Sequence, residues 1–184
     1  MTVLSDDTGT PAPFMVPSSR HIGVAAEAIA AAQFARVGFD ISVQYGANQP
    51  EYDLAVIHGD EMLKVSVKGS KDGSWGLTQS LIKDAGYHAA ADQWLSRHGR
   101  RTALCFVQFK DVAIDTMPRV YIALAPEVAQ MLKDSRNGHG ETIIHERKEW
   151  TRGLAAGSAA SIPETWRFSR SRVEELLRAA GASK

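Results

Sequence analysis

Two apolar runs that lie close together set the strongest limit on what this chain can fold into. Residues 52–57 and 62–68 flank a short polar segment, 58–61, that contains Gly and Asp. Two strands joined by so short a connection form an antiparallel hairpin. With the turn centred in the middle of that segment, the pairing sets Asp53 directly opposite Ser66, and only a β-bulge would shift this register.

The hairpin also predicts which side chains share a face. Because side chains alternate along a strand, Lys64, Ser66 and Lys68 lie on one face with Asp53, while Val67 points to the other face. A carboxylate, a hydroxyl and ammonium groups are therefore expected side by side on one surface of the sheet.

An amphipathic helix precedes the hairpin. Apolar residues recur at spacings of three and four from Ile22 to Val37, and serines precede the pattern as N-cap candidates. Glu27 falls at the edge of the apolar arc and can lean toward the sheet, although an ordinary surface ion pair with a Lys is the alternative. Gly23 leaves that face without a side chain and would permit close approach of the helix or of a ligand.

The rest of the chain supplies the layers around this hairpin. Residues 1–18, with three prolines, are expected to be a flexible tail, and residues 19–184 a single domain. Periodicity and composition predict further strands at 41–45, 102–109, 119–124 and 142–150, helices at 78–97, 126–132 and 169–180, and a surface loop at 153–161. The order helix, three strands, helix, strand, strand, helix predicts a three-layer α/β fold with a mixed central sheet flanked by helices.

Composition excludes several classes of protein. Lys and Arg number 21 and Asp and Glu also 21, so any site for a polyanion must be local. Basic clusters at 97–101 and 167–172 are either solvated faces or phosphate contacts. No apolar run is long enough for a membrane, the single cysteine forms no internal disulfide or cysteine zinc cluster, and the histidines lack zinc-binding spacing, so we expect a cytoplasmic protein. The glycine-rich segment 69–76 lacks the Lys and Ser/Thr that end a nucleotide-binding P-loop.

Three short motifs resemble the PD-(D/E)XK nuclease superfamily. They are GlyValAlaAlaGlu at 23–27, TyrAspLeuAlaVal at 52–56 and LysValSerValLysGlySer at 64–70. That superfamily includes restriction enzymes, Holliday-junction resolvases and a branch of homing endonucleases, and its core is a helix, a three-strand meander, a helix and a further strand. The resemblance covers about residues 20–125 and implies a restriction-endonuclease-like fold.

The resemblance also implies roles for individual residues. Asp53 matches the metal-binding Asp of the family, Lys68 the motif Lys, and Glu27 the acid of the first helix. Ser66 stands where family members usually carry Glu, Asp or sometimes Gln, and Tyr52 replaces the Pro before the Asp.

The implied activity is hydrolysis of DNA phosphodiester bonds with Mg²⁺ or Mn²⁺. The carboxylates of Asp53 and Glu27 and the carbonyl of Val67 would hold the ion, and Lys68 would assist the attacking water. Ser66 removes a charge from this set, so the ion would bind weakly or not at all if the site is degenerate. The partner implied is nucleic acid, and a homodimer is compatible with the resemblance.

The loop after the motif is placed to touch nucleic acid. Lys71, Trp75 and Gln79 are the residues expected to do so, with a mobile surface turn as the alternative. Two other accounts of the chain stay open. One is a catalytically degenerate relative that binds nucleic acid or a protein partner through the same surface. The other is an unrelated α/β protein in which Asp53 and Lys68 form a sheet-face salt bridge.

Overall fold

The computed structural model describes residues 16–44, 51–82 and 86–182. Within these ranges the helices are α1 (Ser19–Arg36), α2 (Gly86–His98), α3 (Ala125–Asp134) and α4 (Arg170–Ala182). The strands are β1 (Asp40–Val43), β2 (Leu54–His58), β3 (Glu61–Ser70), β4 (Ser74–Gly76), β5 (Thr102–Gln108), β6 (Arg119–Leu124), β7 (Ile143–His145), β8 (Arg147–Glu149) and β9 (Ala159–Ser161). None of the helices in this part of the chain is long and apolar enough to span a bilayer.

The central sheet has five strands in the order β1-β2-β3-β5-β6. Strands β1, β2 and β3 form an antiparallel meander, β3 and β5 are parallel, and β5 and β6 are antiparallel. A parallel neighbour needs a crossover connection, which α2 supplies between β3 and β5. The predicted mixed sheet, with its order of helix, meander, helix and two further strands, is confirmed. Two small antiparallel pairs, β4 with β7 and β8 with β9, are added to this core.

Helices cover both faces of the sheet. On one face, α1 and α4 bury Phe34 and Leu176 against the odd-numbered residues Val65 and Val67 of β3. On the other face, α2 and α3 pack against the inward-facing residues of β5 and β6. Since side chains alternate along β3, its even-numbered residues face the side of α2. The three-layer α/β prediction is therefore correct.

The β2–β3 hairpin has the predicted register, with His58 opposite Glu61 and Leu54 opposite Val65. Gly59 in the turn has a φ of 59°, in the left-handed region that glycine adopts without strain. The end of the ladder departs from the register, because the N–H of Asp53 donates to the carbonyl of Val65, the residue opposite Leu54. Such a one-residue displacement is typical of β-bulges.

Several predicted elements differ in extent. The helix predicted at 78–97 is a 3-10 turn at Gln79–Leu81 followed by α2, with residues 83–85 outside the described ranges. The strand predicted at 142–150 is interrupted at Glu146 into β7 and β8. β9 lies inside the segment predicted as a loop, because it pairs with β8. Of the predicted tail, residues 1–15 lie outside the described ranges, as does residue 45 of the predicted first strand.

Candidate active site

Asp53 lies at the open edge of β3. Strand β2 begins at Leu54, so β3 runs on to Ser70 without β2 beside it. The Asp53 carboxylate occupies that place: its Oδ2 accepts the N–H of Val67 at 2.6 Å and lies 3.4 Å from Oγ of Ser66. The carboxylate thus satisfies a strand N–H that β2 would otherwise pair.

This arrangement corrects the predicted pairing, which set Asp53 directly opposite Ser66 on one face of the sheet. A backbone N–H lies in the plane of the sheet, so the Asp53 carboxylate that accepts it lies at the edge and not on the face of Ser66 and Lys68. The displaced end of the ladder explains why Asp53 leaves that face. The contact with Ser66 is present but longer than the bond to the Val67 N–H.

The Val67 carbonyl points toward the same edge. The N–H and C=O of one strand residue project to the same side of the strand, and the Val67 N–H projects toward Asp53. The Val67 carbonyl oxygen and the Asp53 carboxylate therefore lie along one edge of β3, and their binding of a metal ion stays a prediction.

Glu27 completes the group from α1. Its pKa is raised, chiefly because burial disfavours the charged form and also because of the negative charge of Asp53, while the positive charge of Lys68 acts in the opposite direction. The charges of Asp53 and Lys68 thus both act on Glu27, although the three residues come from α1, the residue before β2, and β3. The structure brings Asp53 and Ser66 into contact and sets Glu27 within the electrostatic reach of Asp53 and Lys68, and the joint role of the four residues stays a prediction.

Gly69 allows α1 to lie this close to β3. A Cβ at position 69 would lie 2.8 Å from the carbonyl oxygen of Ile22 and 2.9 Å from Cβ of Ala26, inside contact distance. A Cβ at Gly23 would meet nothing within 4 Å. The prediction that another part of the chain packs closely against Gly23 is therefore wrong. The close approach is made on the strand side, and the signal for it is the glycine directly after Lys68.

Trp75 holds the backbone of Lys68. Its indole Nε1 donates to the Lys68 carbonyl at 2.9 Å, and its ring meets Phe106 edge-on at 5.2 Å between centroids. Only 3% of Trp75 is exposed, so the predicted contact of this ring with nucleic acid is wrong. A buried aromatic ring with its N–H satisfied packs the core and positions its partner.

The other two residues predicted to touch nucleic acid are exposed. Lys71 donates from Nζ to the carbonyl of Pro17 at 3.1 Å, before the start of α1. Gln79 packs its side chain over the backbone of Gly76. Their role in binding stays a prediction.

The donor set suits a hard divalent cation only in part. Among the described residues, no three His, Cys, Asp or Glu side chains are grouped so that they could hold a metal. Glu27 and Asp53 supply two carboxylates whose repulsion a cation would relieve, and Val67 supplies a carbonyl. Mg²⁺ commonly binds through one or two carboxylates together with substrate phosphates, so this set fits an ion that binds with substrate.

Comparison with known proteins gives a likeness in structure alone. No protein-family model and no curated protein matches the chain. One similar solved structure is Hjc, a Holliday junction resolvase from Archaeoglobus fulgidus, with 16% identity, a TM-score of 0.40, and coverage of 67% of this chain and 88% of that one. Another is the bacterial homing endonuclease I-Ssp6803I, with 16% identity, a TM-score of 0.47, and coverage of 91% and 96%.

Proposed function

We propose that this chain is a PD-(D/E)XK-type nuclease that hydrolyses DNA phosphodiester bonds with Mg²⁺ or Mn²⁺. The observation that supports it is the Asp53 carboxylate, held by the Val67 N–H at the open edge of β3, together with Glu27, on which the charges of both Asp53 and Lys68 act. An acid of the first helix, an acid before the second strand and a Lys on the third are the groups that the superfamily resemblance implies.

Each residue has a distinct task in this proposal. Asp53, Glu27 and the Val67 carbonyl would hold the ion, which when bound neutralises phosphoryl charge and lowers the pKa of a water. The Lys68 ammonium stabilises negative charge that develops near the phosphate. Trp75 fixes the strand at Lys68 through its bond to the Lys68 carbonyl.

Ser66 makes metal binding depend on substrate. Its hydroxyl lies 3.4 Å from the Asp53 carboxylate and adds no charge where the superfamily usually has an acid. With two carboxylates in place of three, the protein alone holds the ion weakly, and phosphate oxygens of DNA complete its coordination.

A second candidate function follows from the same serine. Ser66 is neutral where the superfamily usually has an acid, as expected of a degenerate relative that binds nucleic acid or a protein partner without cutting DNA. In that case the fold and the basic groups would serve binding alone.

Cleavage assays separate the two functions. We expect plasmid and branched DNA to be cut with Mg²⁺ or Mn²⁺ but not with EDTA, and Asp53→Asn or Lys68→Ala to lower the rate at least about 100-fold. Arg178→Gln, on the exposed side of α4, is the matched control and should keep the wild-type rate. Binding without cleavage under all conditions would instead establish the binding module, and cleavage indifferent to Asp53→Asn would place the active centre elsewhere.

A further inference from the structure

A basic groove lies near the beginning of β3, toward the end of the strand that is farther from the candidate active site. It has a volume of about 500 Å³ and lies between β3 and the turn that connects α2 to β5. We propose that this groove binds the sugar-phosphate backbone of DNA through Lys64, Arg100 and Arg101. The inference rests on the proposed function for its choice of DNA as the ligand.

The fold brings these three basic residues together. Lys64 lies beside Thr102 in the parallel pairing of β3 with β5, so the residues just before Thr102 border the exposed part of β3. Helix α2 ends at His98, Gly99 turns the chain with a φ of 75°, and the hydroxyl of Thr102 donates to the His98 carbonyl. This turn, which the Thr102 hydrogen bond stabilises, thus places the exposed Arg100 and Arg101 next to the exposed Lys64.

The charge of this groove suits a polyanion. Its lining contains Lys64, Arg100 and Arg101 and no carboxylate, in a chain whose total charge is zero. The Nζ of Lys64 lies 5.3 Å from the centroid of the Tyr52 ring, which holds the ammonium at the surface. The His98 ring packs against Trp94 at 4.3 Å between centroids and forms a hydrogen bond with the Trp94 carbonyl, so it is not counted among the groups that bind phosphate.

The groove is in line with the site. Lys64 and Lys68 are on the same face of β3, four residues apart, which is a distance of about 13 Å along the strand. One DNA strand carries a phosphate about every 3.4 Å of helix axis. DNA lying along β3 with one phosphate at Lys68 would therefore bring another part of its backbone over the groove.

The test compares two double substitutions with the same change of charge. Arg100→Gln with Arg101→Gln removes two groove cations, and Lys148→Gln with Arg178→Gln removes two exposed cations from β8 and α4, outside the groove lining. Binding of a fluorescein-labelled duplex is measured by anisotropy in EDTA over a series of KCl concentrations. The slope of log affinity against log salt should become less steep by about 1.8 for the groove variant, since each phosphate contact contributes about 0.9, and stay unchanged for the control.

The outcomes separate this inference from the proposed function. A groove variant with the wild-type salt slope, or a wild-type protein that binds no DNA even at low salt, overturns the groove. Metal-dependent cleavage with an unchanged salt slope refutes the groove and leaves the nuclease proposal intact. A reduced slope without any cleavage by the wild-type protein supports the groove and refutes the nuclease. The melting temperatures of both variants are measured as a control. Values equal to that of the wild type show that a difference in slope does not come from misfolding.

Discussion

At the scale of single residues, the candidate site depends on one carboxylate that serves the backbone. Asp53 accepts the Val67 N–H at 2.6 Å, which uses one carboxylate oxygen and fixes the other beside the edge of β3. A hydrogen bond from a backbone N–H to a carboxylate is charge-assisted and is stronger than a bond between neutral groups. The site is thus oriented by the protein before any ligand binds.

Ser66 is where a single change tests for a latent metal site. Ser66→Asp adds a second carboxylate near Asp53 in a buried position, so the variant should melt below the wild type in EDTA, because like charges repel and burial disfavours them. With Mn²⁺ the variant should gain more melting temperature than the wild type, because the ion binds only the native state. Ser66→Asn, which has similar size without charge, should show no such gain. Equal responses of the two variants to Mn²⁺ would show that no metal binds between positions 53 and 66.

Gly69 and Gly23 make a matched pair at the contact between α1 and β3. Gly69→Ala places a Cβ against the backbone of Ile22 and should destabilise the fold by about 1–3 kcal/mol, as overpacking does. Gly23→Ala meets nothing within 4 Å and should stabilise α1 by about 0.5–1 kcal/mol. Urea unfolding of both variants measures these changes. A neutral Gly69→Ala would mean that α1 can retreat from β3, in which case Glu27 is not held at the site.

At the scale of elements, α4 is attached to α3 by a buried charge. Arg172 of α4 is 7% exposed, and its Nη2 donates to both carboxylate oxygens of Glu127 at 2.6 and 2.7 Å. Glu127 also accepts the N–H of Leu124 at the start of α3. Glu175, in contrast, meets Arg172 from one turn away on α4 and is largely exposed.

These two acids should therefore differ in their effect on stability. Glu127→Ala leaves a buried guanidinium without its main partner and should cost roughly 2–3 kcal/mol in the free energy of unfolding. Glu175→Ala should cost less than about 1 kcal/mol, as expected of an exposed ion pair. Urea denaturation of the two variants provides the comparison. Similar losses would mean that burial of Arg172, and not its pairing with Glu127, determines the contribution.

The periodicity of the sequence was enough to predict the core helices and strands, whereas the other features depend on contacts between residues far apart in the chain. The turn between the apolar runs was enough to predict the register of β2 with β3, because pairing in a hairpin is local. The displacement at Asp53 and the short pairs β4–β7 and β8–β9 depend on partners far along the chain. Trp75 shows the same limit: its residue type allows base stacking or burial, and only the position of Phe106 decides between them.

At the scale of the whole molecule, a polar cluster joins the central sheet to the small sheets. Glu146, between β7 and β8, accepts from Arg119 at 2.6 and 2.9 Å and from the hydroxyl of Tyr121 at 2.8 Å. Hydrogen bonding from Arg119 lowers the pKa of Glu146, against the opposing effect of burial. Burial and the bond to Glu146 raise the pKa of Tyr121 to about 12.

The signs of these shifts predict how stability follows pH. A carboxyl group with a lowered pKa, such as Glu146, contributes stability that is present above its ordinary value of 4.5 and is lost as pH falls through the lowered value. Glu27 has a raised pKa and behaves oppositely, since its charged form is disfavoured in the folded protein as pH rises.

Glu146→Gln should thus melt below the wild type at neutral pH, with a difference in melting temperature that disappears in acid. Glu27→Gln should melt above the wild type at neutral pH, with an advantage that disappears below pH 4.5. Melting curves recorded at a series of pH values test both signs. A Glu27→Gln variant less stable than the wild type at neutral pH would show that the Glu27 carboxylate is stabilised by Lys68 more than it is destabilised by burial and Asp53.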